Sequence, residues 1–123
     1  MEKDKQVADL LNELYEYLQL SGTAYKEYLS AGKTYRHACV LKKINTRAAE
    51  LLANKSHLLS TDLRQNAADL LDHYNVWTGK WEALEEELKP GPVDVFVFEN
   101  EHRFPREAAD NLEREYFRLK ENN

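Results

Sequence analysis

Four histidines, His37, His57, His73 and His102, are the obvious candidates for acid–base or metal chemistry in this chain. Two imidazoles one helical turn apart are a common basis for a zinc site, and no His-x-x-x-His pair occurs. Glu99-x-x-His102 has the spacing of one ligand pair in a di-iron bundle. Such a centre needs a second Glu-x-x-His and further inward glutamates, whereas here the single copy falls in a loop before Pro105. Asp69 and His73 stand four apart, so the carboxylate could orient the imidazole for proton transfer, but an exposed ion pair along one helix face needs only the same spacing. Cys39 and His37 are two apart, which on a helix turns them about 160° away from each other and rules out a nucleophile–base pair. Cys39 therefore reads as a small core residue, and Glu85-Glu86-Glu87 as a solvated face. No catalytic residue, metal ligand or cofactor site is expected.

Aromatic residues are the unusual feature, with seven Tyr, four Phe and two Trp. Tyr25, Tyr28, Tyr74, Trp77 and Trp81 fall on apolar helical stripes and are expected in the core. Tyr15, Tyr17 and Tyr35 lie beside those stripes or at a helix start, where aromatic side chains often anchor a partner. The run Val93-Asp94-Val95-Phe96-Val97-Phe98 has no helical spacing and reads as extended. Its valines point one way while Asp94, Phe96 and Phe98 point the other, so both faces are largely apolar. With no second strand in the pattern, its backbone groups are left to pair with another chain, with a segment the pattern does not mark, or with water, and the alternative to pairing outside the chain is an extended crossover packed over the bundle end. Val93, Val95, Phe96, Val97 and Phe98, with Tyr15, Tyr17 and Tyr35, are thus the expected contact residues.

The elements that must position these groups are helices. Leu63, Ala67, Leu70, Tyr74, Trp77, Trp81, Leu84 and Leu88 recur with alternating gaps of four and three. That seam runs from the Ser60-Thr61-Asp62 caps to Pro90-Gly91-Pro92, about 28 residues and on the order of 40 Å. A first helix over about 3–31 carries the same spacing at Val7, Leu11, Leu14, Leu18, Ser21, Tyr25 and Tyr28, widened by Leu10 and Leu29. Its phase survives Gly22 at a cost of about 1 kcal/mol, and Gly32 ends it. A second helix from about Lys33 uses Ala38, Leu41, Ile44, Ala48, Leu51 and Leu52 and extends toward Leu58. A last helix opens at Pro105 and buries Ala109, Leu112, Tyr116 and Leu119. Short connections at Ala31-Gly32 and near Ser60 make neighbours antiparallel.

The expected fold is all-α: a single domain over 1–123, an antiparallel four-helix bundle with long helices and one short extended segment before the last. Composition sets the remaining bounds. Twenty-two acidic against seventeen basic residues give a net charge of −5, which disfavours nonspecific attraction to nucleic acid or anionic lipid. No stretch approaches the ~20 apolar residues of a membrane span. A lone cysteine fits a reducing compartment such as the cytoplasm, and no leader is apparent at the first residues. The function expected is a noncatalytic protein–protein interaction module (homodimer, adaptor or inhibitor), with a protein or a second copy of the chain as partner. The alternative is a small-ligand or metal-binding bundle, with an enzyme as one form of it, whose pocket lies between helices near Trp77, Trp81 and His73.

Overall fold

In the computed structural model, which describes residues 2–98 and 103–121, the chain forms α1 (Glu2–Ser30), α2 (Tyr35–Lys55), α3 (Thr61–Leu88) and α4 (Arg106–Glu121). Helix α1 runs unbroken through Gly22, as the phase of its apolar stripe requires. It ends in a Schellman turn: Gly32 takes φ +87°, and the Lys33 and Gly32 amides donate to the carbonyls of Tyr28 (2.8 Å) and Leu29 (3.3 Å). Helix α2 stops at Lys55, short of the expected Leu58, and a 3₁₀ turn follows over Ser56–Leu58. The Ser56 hydroxyl donates to the Leu52 carbonyl, a local bond that competes with continuation of the helical ladder. Lys89, in the left-handed region at φ 43°, and Pro90 terminate α3. The Pro105 carbonyl accepts the Ala109 amide at 3.1 Å, which starts α4.

Each helix packs on the next, and α4 closes the ring against α1. Tyr35–Glu85 with Lys42–Glu82, and Asn66–Asn111 with His73–Phe104, run in opposite senses along α2 and α3 and along α3 and the entry to α4, and the short turns between successive helices make neighbours antiparallel. The four-helix bundle read from the heptad seams is therefore the observed fold. Among the described residues, no helix is long and apolar enough to cross a membrane.

The core divides in two. One cluster joins all four helices through Leu11, Leu14, Leu52, Leu70 and Leu112. The other comprises Ala24, Tyr28, Ala38, Leu41, Trp81 and Phe96, and α4 contributes nothing to it. The division follows from length: α4 has 16 residues and α3 has 28, about 24 Å against about 42 Å. Contacts of Tyr116 with Asn12 and of Asn111 with Asn66 place α4 beside the first half of α1 and of α3. The other half of the bundle has three helices. Its seam residues Tyr25, Leu29 and Leu88, expected to be buried, are exposed there because no fourth helix covers them.

The extended segment partly fills that gap and, as a crossover packed over the bundle and not as a strand awaiting another chain, finds backbone partners within the chain. Thr34 and Val95 form an antiparallel bridge. The Phe96 amide donates to Lys33 O (2.9 Å), Tyr35 N donates to Asp94 O (2.8 Å) and Arg36 N to Pro92 O (3.0 Å). Tyr35 and Arg36 occupy the first turn of α2, where amides have no helical acceptor, so the segment caps that helix with its own carbonyls. Nothing in the period of residues 93–98 announces this, because the partner is a helix terminus and not a strand.

Candidate functional site: an aromatic cleft in the open half of the bundle

Where α4 stops short, α1, α2, α3 and the segment through Phe98 enclose a half-open cleft of about 720 Å³. Its walls carry Tyr28, Trp77, Trp81, Phe96, Phe98 and Phe104. The helical seams deliver the first three, since Trp77 and Trp81 are one turn apart on α3 and Tyr28 faces them from α1. Phe96 packs on Trp81 at 4.9 Å between ring centroids and Phe98 on Trp77 at 5.8 Å, so the segment adds a second aromatic layer. The Tyr28 hydroxyl donates to the Phe96 carbonyl and holds that layer in place. Lys42 covers Trp81 at 4.5 Å from its ring centroid and pairs with Glu82 at 3.3 Å.

Two polar groups lie on the apolar floor. Ser21 Oγ donates to Asn45 Oδ1 at 2.9 Å, and Asn45 is buried. Trp81 Nε1 is buried and has no acceptor among the described residues, a deficit that typically costs about 1–3 kcal/mol. The rim is cationic: Lys26, Lys33, Arg103 and Arg106 line it against the single carboxylate of Glu113. Burial pushes the Glu113 carboxyl up, with Asp110 adding to the effect and Arg106 opposing it. Tyr74, also in the wall, is pushed up to about 12 by burial. Burial likewise raises Tyr28, and Tyr35 is raised chiefly because its hydroxyl donates to the Glu85 carboxylate.

The expected contact residues separate into three groups. Val93, Val95 and Val97 are 80, 65 and 48% exposed, whereas Phe96 is 1% exposed and belongs to the core, so the alternation of faces holds but only the valine face is open. Phe98 is half-buried in the cleft wall. The tyrosines are engaged within the chain. Tyr15 stacks on Tyr116 at 5.1 Å, Tyr17 donates to Glu13 at 3.4 Å, and Tyr35 packs on Trp81 and Phe96.

The chemistry-bearing residues are placed as follows. The buried His73 ring contacts Phe104 edge-on at 5.3 Å, while the exposed Asp69 accepts from Gln65 at 3.0 Å. His37 Nδ1 lies 2.8 Å from Thr34 Oγ1, His57 is exposed, and Cys39 is half-buried beside the aromatic cluster. Glu99-x-x-His102 lies outside the described residues. Among the described residues no three His, Cys, Asp or Glu side chains come close enough to share a metal ion. Glu85, read with its neighbours as solvated, is half-buried and ties α3 to the start of α2 through Tyr35.

Sequence reasoning placed Trp77, Trp81 and His73 at a pocket and missed the rest of its polar equipment. Asn45 had a usable signal, a polar residue four after Leu41 on the apolar face of α2, opposite Ser21 on that of α1. The cations had none, because Lys26, Lys33, Arg103 and Arg106 meet only through the tertiary fold. Comparison with protein-family models, with curated proteins and with solved structures yields no match to this chain.

Proposed function

We propose that the chain is a noncatalytic binding protein whose receptor site is the aromatic cleft. The observation that carries this reading is the mismatch in helix length, which leaves a concave, aromatic-walled space of about 720 Å³ in an otherwise close-packed bundle. Ligand sites commonly span about 300–1,000 Å³, are mostly apolar, and carry a few converging polar groups. Within the cleft the Ser21 hydroxyl is bonded to the amide of Asn45 and not to a base, which supports binding there over catalysis. A reducing, cytoplasmic setting belongs to the same proposal and rests on the free Cys39.

Trp77 and Trp81 are the two tryptophans of the chain, so its two indole N–H resonances report on the cleft without further labelling. In a fragment screen, compounds that raise the melting temperature are expected to move both resonances, because a ligand selective for the native state stabilises it. A screen in which no stabilising compound moves either one overturns the reading.

Self-association into a homodimer is a second reading, favoured by the valine row. Val95 sits in a non-hydrogen-bonded bridge, so its own N–H and C=O point to the free edge, beside exposed Val93 and Val97. Light scattering at micromolar concentration should then give the mass of two chains, and Val95→Lys with Val97→Lys should return it to one. A wild-type mass of one chain removes this reading.

A further inference from the structure

We infer that the cleft takes an organic anion with a planar aromatic body. This rests on the cleft being the receptor site and adds the chemistry of its occupant.

Size is the first argument. The cleft offers about 720 Å³, within the range of small-molecule sites. Wall chemistry is the second. Trp77, Phe98 and Phe104 are partly exposed and offer aromatic surface to the cleft, backed by the buried Trp81–Phe96 pair, and aromatic groups gain from offset or edge-to-face packing beyond what burial of an aliphatic chain supplies.

Charge decides the rest. The protein carries −5 overall, yet among the described residues the cleft is lined by four cations and one carboxylate. These come from separate elements, Lys26 from α1, Lys33 from the turn after it, and Arg103 and Arg106 from the entry to α4. Glu113 engages Arg106 electrostatically and is the one lining carboxylate. A local excess of positive charge around an apolar slot selects a guest whose ring system enters the slot and whose anionic group stays at the rim.

The test uses two dyes of one ring system on the full chain. Anilinonaphthalene sulfonate joins a planar naphthalene to an anionic sulfonate, and phenylnaphthylamine is its uncharged counterpart. The anionic dye should bind at one per chain, move both indole resonances, and bind about tenfold or more tightly than the neutral dye. That advantage should shrink as salt is raised. Arg106→Glu, and independently Lys26→Glu, should remove most of the difference between the two dyes. Arg106→Glu puts a carboxylate in the first turn of α4, which favours the helix, and an unchanged circular dichroism spectrum separates lost binding from lost folding. Equal affinities with both indoles shifted overturn the anion assignment and leave the cleft reading standing. Dye bound without movement of either indole, or no binding of either dye, overturns both. Dye release that tracks dimer formation as protein concentration rises makes a second copy the occupant and also overturns the inference.

Discussion

Phe96→Ala is expected to destabilise the protein by about 3–5 kcal/mol, a large part of the roughly 5–15 kcal/mol that holds a typical domain together. The side chain is fully buried and packs on Trp81, Tyr35 and Phe98, so truncation leaves a cavity in the smaller of the two cores. Collapse into that cavity is resisted on both sides. The Tyr28 hydroxyl holds the Phe96 carbonyl, and the Phe96 amide is bonded to Lys33. Denaturant unfolding gives the loss directly, with Val95→Ala as the exposed control, where a change within about 0.5 kcal/mol is expected. Loosening the segment also frees the Tyr35 and Arg36 amides from Asp94 and Pro92, so both should exchange with solvent faster in the variant. A loss below about 1 kcal/mol for Phe96→Ala would show that the segment packs only loosely over the bundle.

Alkaline pH should cost the wild type about 2–3 kcal/mol relative to Tyr74→Phe between pH 10 and pH 12. Burial raises the folded-state phenol from its ordinary 10.0 to about 12. Below pH 10 the phenol is protonated in both the folded and the unfolded chain and the two proteins keep a constant difference. Above it the unfolded chain gives up a proton that the folded chain retains, so unfolding is favoured increasingly until the folded phenol ionises as well. Two pH units at about 1.4 kcal/mol each set the size of the effect. Tyr28 and Tyr35 are raised too and add losses of the same sign, but these are common to both proteins and cancel in the difference. Parallel stability curves across this range would place the Tyr74 hydroxyl in contact with water, within the cleft it lines.

Leu70 and Phe96 mark the boundary between what the chain's own pattern fixes and what its folding adds. Leu70 sits on a stripe repeating every three or four residues, and any partner helix laid along that stripe buries it. The same holds for Leu11, Leu14, Leu52 and Leu112, which is why four helices, their approximate bounds and their antiparallel order were legible without coordinates. Helical periodicity is local information, carried by neighbours one turn away. Phe96 lies in a run whose two faces are both largely apolar, and which face turns inward depends on the free amides at the start of α2, about sixty residues earlier in the chain. The cleft is likewise nonlocal. The alternative reading put a pocket between helices near Trp77, Trp81 and His73, but the pocket exists because α4 is about 18 Å shorter than α3, as 16 and 28 residues at about 1.5 Å each require. The lengths were readable; which end of the groove the short helix would leave open was not. That choice brings Lys26, Lys33, Arg103 and Arg106, scattered over nearly eighty positions of an acidic chain, to one rim, and only the packing of Tyr116 on α1 and Asn111 on α3 decides it.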